Sequence, residues 1–535
     1  MADLKAFFES LGGPHLSGQF NLVGPSYESA NPLQDAQRLI NWYCEIDTTP
    51  GAKTPVTLLG TPGLVELLES SYEGEVRGAW TLPGSATAVL VIESVAVLLT
   101  WDGSAFSLRT IGTLSTSGGQ VVIRDNGVGG QVVIADGAAV YVWTKKTDAF
   151  NAIPDVVASH ITFIDGWLVF NEPGTQRFFT SPLYWNGLDP FDPTFFALKD
   201  TSTDNLVCLA SNKRELWLLG ERTSEVWYDA GGQYFPFSRL QGATLDIGCS
   251  AKYSLAENSR GLIWLARDKN GQNTVVESEG FDYKTISSPA VAFAISQYAV
   301  IEDAIGYVYK EEGHKFYVLT FPTEDVTWVY DIGVNQWHQR ASFDPETGLF
   351  HRHRSNCFCD VANHVIVGDF QNGKLWNMTR TAYTDGDKPL VAVRRTPHFW
   401  DQKDRNRVSQ YKLQIEFRAG FSQLFTFGVP QVVQWVNDAG QIVDWINDVG
   451  EVVQWVNDGG QITAEAKAMV RWSNDGGFTW NTQRFVSLGA VGETRRRAII
   501  RRMGQARDRI YELSISDPVN RDVVGASLIA EANAS

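Results

Sequence analysis

Between about Arg77 and Asp387, short apolar runs alternate with turn dipeptides, among them Asp102-Gly103, Asp136-Gly137, Asp165-Gly166, Asn372-Gly373 and Asp385-Gly386. Each dipeptide tolerates the positive φ of a tight hairpin, so the runs read as short antiparallel strands. Trp101, Trp143, Trp185 and Trp227 follow one another at spacings of 42, and Trp328 and Trp376 lie 48 apart. A repeat of about 40 to 50 residues is the length of one four-stranded propeller blade. The pattern predicts a mainly β chain, with a β-propeller of about six or seven blades over residues 76–387.

The motif VYDIGVNQW at 329–337 supports this, because Y-D followed by a turn and Trp resembles the inner hairpin of a kelch blade. Residues 1–75 differ. They hold one strand-like stretch, LQDAQRLINWYCEI at 33–46, and LLGTPGL at 58–64, which reads as a turn. This N-terminal arm, or partial platform domain, is expected to join a second β-rich domain built from residues 388–535. There YKLQIEFRAG at 411–420 alternates at strand period. Three decapeptides follow: QVVQWVNDAG (431–440), QIVDWINDVG (441–450) and EVVQWVNDGG (451–460). Each offers a strand and an Asn-Asp-x-Gly turn, which predicts an inserted meander of hairpins that must be laid on something to persist in water.

Composition agrees with strands. Aromatic residues make up 12%, with 18 Trp and 48 Gly, and only 20% of the 535 residues are charged. The net charge of −16 argues against tight sequence-independent DNA binding, which draws its affinity from Lys and Arg displacing phosphate counterions. Five scattered cysteines, Cys44, Cys208, Cys249, Cys357 and Cys359, make no disulfide framework, and folding in a reducing cytoplasm is expected. The amino terminus lacks the basic start and apolar core of a signal peptide. The most apolar run, 86–99, is interrupted by Glu93 and is shorter than the ~20 residues of a membrane helix, so no membrane association is expected.

Candidate chemistry is sparse. The stretch GDFQNGK at 368–374 approaches a phosphate loop, but Leu375 stands where a magnesium-binding Ser or Thr belongs, and the setting reads as a hairpin. His351, His353, Cys357, Cys359 and His364 crowd together without the spacing of structural zinc, and alternate strand positions account for each pair. There is no G-x-S-x-G elbow and no H-E-x-x-H. The stretch SNDGGFTW at 473–480 fits the S-x-D-x-G-x-T-W box found on sialidase-type propellers. Here Ser473, Asp475, Gly477, Thr479 and Trp480 read as a turn: the carboxylate accepts turn amides, the glycine supplies positive φ and the tryptophan packs beneath. The box occurs once and outside the blades, so it lends a glycosidase little support. No catalytic residue, cofactor or metal ligand is expected. From Arg484 to Arg509, eight arginines face only Glu493 and Asp508 in an otherwise acidic chain. Arginine pairs bidentately with carboxylates, so Arg495, Arg496, Arg497, Arg501, Arg502, Arg507 and Arg509 form a candidate subunit or partner interface.

IADG at 134–137, FIDGWLVFNEPGTQRFFTS at 163–181, ELWLLGERTSEVWYDAGG at 215–232, EEGHKFYVLTFP at 311–322, TWVYDIGVNQWHQR at 327–340, RWSNDGGFTW at 471–480 and GETRRRAIIRRMGQARDRIYELSISDP at 492–518 follow in fixed order. Together they resemble the packaged-DNA stabilisation proteins of short-tailed bacteriophages, also called tail hub or nozzle proteins. The resemblance implies a non-enzymatic virion tail protein, assembled in the host cytoplasm as a hexameric ring below the portal and its head-to-tail adaptor ring. Such a ring extends the DNA channel without sequence-specific binding, retains the packaged genome until ejection, and carries tailspikes or fibres and a tail needle or plug. The decapeptides lie outside the resemblance. The alternatives are a glycan-binding or glycan-cleaving propeller of the virion, and a DNA binder whose affinity rests on Arg495, Arg496 and Arg497.

Overall fold

The computed structural model describes residues 15–20, 22–47, 49–50, 54–127, 130–232, 235–403, 405–418, 431–433, 435–436, 442–443, 455–457, 466–489 and 496–533. Strands dominate, and Pro289–Ser296 is the one α-helix among these residues.

Seven antiparallel blades follow in chain order, over 76–113, 122–152, 161–198, 206–245, 247–285, 305–344 and 355–379. Their second strands are apolar on both faces, as in Thr87–Ile92 (TAVLVI) and Glu215–Gly220 (ELWLLG), because each is covered by a blade on either side. Every neighbouring pair of blades shares one apolar cluster. The seventh closes on the first through Cys357 and Ile366 against Leu90 and Val97. A strand from the N-terminal region, Gly63–Glu66, pairs antiparallel with Leu375–Thr379 as the fourth strand of the seventh blade, and so latches the ring. Glycine is required at 63, since a Cβ there would stand 2.4 Å from the Thr384 carbonyl oxygen.

The tryptophan spacing has a structural cause: Trp101, Trp143, Trp227, Trp328 and Trp376 all lie on third strands, whereas Trp185 falls in a connection. Two expectations are corrected. The 329–337 motif joins the third and fourth strands of the sixth blade, its outer hairpin and not the inner one. The 58–64 stretch is no simple turn. Val56–Gly60 pairs with Trp42–Ile46, and after Thr61 and Pro62 the chain enters the latch strand, so one short segment serves two sheets.

The second unit is a β-sandwich woven from both ends of the chain. One sheet holds His15–Gln19, Trp42–Ile46, Val56–Gly60, Val408–Phe417, Arg496–Arg501 and Val523–Ala532. The other holds Ala36–Ile40, Ala392–Arg395, Ala466–Ser473, Arg484–Gly489 and Asp508–Ile515. Trp42, Leu39, Leu413, Val470, Tyr511, Leu513 and Leu528 fill the space between them. The second sheet does not stop at the sandwich. Ile40 pairs in parallel with Gln339, so hydrogen bonding runs without a break from the sixth blade into the sandwich. Between the two N-terminal strands sits Asn41, fully buried with a left-handed φ of 55°. Its amide donates to the carbonyls of Ala341 and Val391, both at 2.8 Å, and its oxygen accepts from the Ala341 N–H at 3.0 Å. A buried amide with its bonds made fixes the joint, because leaving those groups unpaired would cost on the order of 1–3 kcal/mol each.

Of the decapeptides, the first unit pairs with both others: Gln431–Val433 with Trp455–Asn457, and Trp435–Val436 with Ile442–Val443. Their side chains lie outside the described residues.

Candidate functional site

The 473–480 box is a self-contained turn. The Ser473 hydroxyl donates to Asp475 Oδ1 at 2.6 Å and accepts from the Gly477 N–H at 2.9 Å. Asp475 also accepts from the Thr479 N–H at 2.9 Å and the Thr479 hydroxyl at 2.5 Å. These hydrogen bonds, the Ser473 one foremost, hold the carboxyl at about 2, so it stays ionised and cannot serve as a proton donor near neutrality. Gly476 and Gly477 take φ of 76° and 98°. Trp480 is half-buried, with its ring against Gly477 of its own turn and flanked by the guanidinium groups of Arg471 at 4.6 Å and Arg395 at 5.1 Å. Both arginines converge on the buried Glu512, which accepts from Arg471 Nε at 2.6 Å and Arg395 Nε at 3.1 Å. The box thereby ties its hairpin to two neighbouring strands.

The arginine segment divides by strand parity. Arg496–Arg501 is an edge strand paired antiparallel with Val408–Phe417, in the register Arg497 to Glu416, Ile499 to Gln414 and Arg501 to Lys412. Ala498 and Ile500 face the core, while Arg497, Ile499 and Arg501 face out. Arg497 reaches Glu416 at 3.1 Å. Arg502 turns the chain with φ of 58° and is exposed, as is Arg507. Arg484, on the facing sheet, donates to the Arg501 carbonyl at 2.8 Å and draws the two sheet edges together. Arg495 and the side chain of Arg496 lie outside the described residues. Arg509 departs from the expectation of an exposed interface group. It is 2% exposed, donating to the Met503 carbonyl at 2.8 Å, Asn474 Oδ1 at 2.8 Å and Gln410 Oε1 at 3.1 Å, with Trp472 beside its guanidinium. Its strand is covered on both faces, so alternation offers it no route to solvent.

The His and Cys cluster disperses. His351 bonds Asp325 at 2.6 Å, His353 is buried against the Ser355 hydroxyl at 2.7 Å, and His364 packs on Trp101 and Phe106. Burial pushes the His353 ring down to about 3 and the Cys357 thiol up to about 12, which keeps both neutral. No group of three or more His, Cys, Asp or Glu among the described residues could hold a metal ion. The 368–374 stretch is a hairpin in which Lys374 pairs with Glu66 of the latch strand at 2.9 Å.

Sequence reasoning missed the propeller axis. The first strands of successive blades stand side by side around it except at the fifth blade. Into this space the fifth blade sends a 3-10 turn, Lys252–Ser254, and the short strand Ala256–Glu257. Tyr253 stacks on His160 of the third blade at 5.5 Å, and the Ser254 carbonyl accepts from Tyr317 of the sixth at 2.7 Å. Glu257 meets Arg124 of the second blade at 3.4 Å. Arg77 of the first blade is buried and gives its guanidinium to the 116–119 connection, with the Thr116 carbonyl at 2.7 Å and that of Gly118 at 2.8 Å. Residues 252–257 thus reach the second, third and sixth blades from the fifth. Nothing local in the sequence marks these pairings.

Residues 48–383 match the family model described as Bacteriophage P22 Gp10, beta-propeller, and residues 433–531 match that described as Bacteriophage P22 Gp10, beta-sandwich. No curated protein matches the chain. Solved structures similar to it include the extracellular domain of a hybrid two component system from B. thetaiotaomicron, at 8% identity and a TM-score of 0.39 over 67% of this chain. Another is an auxiliary nutrient binding protein from Bacteroides thetaiotaomicron, at 9% identity and a TM-score of 0.35 over 59% of this chain. The chain spans 44% of the length of the first and 75% of the second.

Proposed function

The chain belongs to the bacteriophage P22 Gp10 family, is a structural protein of a phage tail, and we propose that it acts there as one subunit of a closed, hexameric ring. The ring docks below the portal and its adaptor ring, extends the DNA channel, helps retain the packaged genome and anchors tailspikes or fibres and a needle or plug. Its work is mechanical and needs no catalytic group or cofactor.

The observation that carries this reading is the match of both units, propeller and sandwich, to one family in chain order. The geometry supports it. A hydrogen-bonded sheet continuous from the sixth blade into the sandwich joins the two units within one subunit, as a wall segment of a ring requires. Because residues 252–257 link blades across the propeller axis, the path for DNA in this reading is the lumen enclosed by several subunits and not the bore of one. A net charge of −16 suits a lumen along which DNA slides without adhering. Ring closure requires two unlike patches on each subunit. We assign the outward arginines, Arg497, Arg501, Arg502 and Arg507, to one of them.

Electron microscopy of the purified protein, and of the particle that contains it, tests the reading. A six-fold ring with no hydrolase activity is expected. A solitary chain that binds or cleaves host polysaccharide would overturn it in favour of a glycan-directed propeller.

A further inference from the structure

The third blade carries a surface unlike that of the other blades. Its third and fourth strands, Arg177–Thr180 and Phe196–Leu198, are joined by the fifteen residues 181–195, whereas the corresponding links of the first, second and sixth blades take four. This connection is built to hold one shape. Trp185 is buried as its anchor and donates to the Asp189 carbonyl at 2.8 Å. Asn186 Oδ1 accepts from the Leu188 N–H at 2.8 Å, and the Asn186 carbonyl is held by Gln131 of the second blade at 2.8 Å. The Tyr184 N–H donates to the Gly166 carbonyl at 2.8 Å, with Tyr184 at φ of 50°.

What this ordered connection presents is apolar. Leu188 is 85% exposed and Tyr184 61%, and Leu183 is also exposed. Phe196 and Leu198, alternate residues of the outermost strand, are exposed as well. Contiguous exposed apolar surface on an ordered scaffold marks a protein contact. Among the charged groups around it, Arg177 lies over the Phe196 ring at 4.1 Å and Arg239 pairs with Asp200 at 2.8 Å, Lys199 is buried on Asp204, and Asp189 and Asp192 stand exposed.

A basic face stands on the sandwich. There Arg497, Ile499 and Arg501 alternate outward on the edge strand, beside Lys412 and the exposed Tyr411, with Arg502 just beyond. The first surface presents the Asp189 and Asp192 carboxylates beside its apolar side chains, and the second presents Arg501 and Arg502 beside Ile499, with Arg497 held by Glu416. They lie on different units of the same chain, as a head-to-tail contact demands.

We propose that the 181–198 surface of one copy seats on the 497–502 face of the next copy, an inference that rests on the ring reading above and supplies its second patch. Two measurements test it on the full chain. The five native cysteines are all buried, so a Leu188→Cys, Ile499→Cys double variant places its only accessible thiols on the two faces. Mild oxidation of that variant should give a ladder of covalent multimers, and neither single variant should give more than a dimer. Leu188→Asp, at an exposed position that leaves the fold intact, should raise the concentration for half-assembly about tenfold or more by mass photometry. Asp189→Arg with Asp192→Arg should weaken assembly likewise, and adding Arg497→Glu and Arg501→Glu should restore it. Rings that form unchanged in Leu188→Asp and in the charge reversal, with no ladder from the cysteine pair, would overturn this pairing and leave the ring reading standing. A wild-type chain that is solitary in solution and in the particle would overturn both.

Discussion

Arg124 of the second blade and Glu257 of the fifth lie 3.4 Å apart, joining blades that face each other across the propeller axis. The pair is partly solvated, so its own contribution is small, and the closure rests on the packed ring of Tyr253 against His160. Burial pushes the Tyr253 hydroxyl up to about 12 and the His160 ring down to about 3, so both are neutral where they meet.

Arg124→Met is accordingly expected to change unfolding free energy by less than about 1 kcal/mol. Tyr253→Ala should cost about 2–3 kcal/mol, since it empties a largely enclosed site. Urea unfolding measures the difference, and hydrogen exchange across 250–257 locates it. Exchange in that segment of the wild type as fast as in exposed turns would show that the axis is open.

A second long-range contact titrates. His314 of the sixth blade sits between Asp331 at 2.6 Å and Glu45 of the sandwich at 2.5 Å, stacked on Phe316. Hydrogen bonding to Asp331, with help from Glu45, raises its pKa to about 9 against the burial that opposes it. A folded pKa above the unfolded value of about 6.5 means that the stabilisation is complete below pH ~6.5 and is lost as pH rises through about 9. Stability should fall by about 2 kcal/mol across that window, discounted because Glu45 is partly solvated. His314→Gln should flatten the slope. Melting temperatures from pH 6 to 9.5 decide it, and parallel curves for the two proteins would rule the clamp out.

These contacts also separate what the sequence displays from what it hides. The blade period was legible because packing third-strand tryptophans against neighbouring blades repeats at blade length, as the buried Trp143 and Trp227 and the half-buried Trp101 do. The 473–480 turn was legible because every bond of Asp475 is made within a few residues. The latch was not: Gly63–Glu66 is four residues long and acquires its meaning only from Leu375–Thr379, far along the chain. Arg124 and Glu257, 133 residues apart, were equally silent. The arginine-rich segment was visible as composition, yet composition does not say which side of a strand a charge takes, and Arg509 went inward.

The box gives a prediction of its own. Asp475→Ala removes the acceptor for Thr479 and for the Ser473 hydroxyl, so hydrogen exchange should accelerate over 471–482 while the blades are unaffected. Asp475→Asn, which retains one acceptor oxygen, should lie between. Neither variant should alter any glycan-directed activity, and a change in such an activity would return the box to the list of catalytic candidates.

Arg509 and Arg497 make opposite predictions from the same side chain. Arg509→Met leaves the Met503 carbonyl buried without its donor, while Gln410 Oε1 keeps the Tyr511 hydroxyl, so a loss of about 1–3 kcal/mol is expected. Assembly should then fail only insofar as the sandwich unfolds, and lowering the temperature should recover it. Arg497→Ala removes a solvated ion pair to Glu416 and should shift stability by no more than about 0.5 kcal/mol. Its effect belongs in association, as a weaker assembly that is more sensitive to salt, because a rim charge acts mainly by steering encounter. Unfolding curves and mass photometry on the two variants at low and high salt separate the roles. If Arg497→Ala unfolds the sandwich, or Arg509→Met weakens assembly without loss of stability, the division of the arginines into an inward brace and an outward contact is wrong.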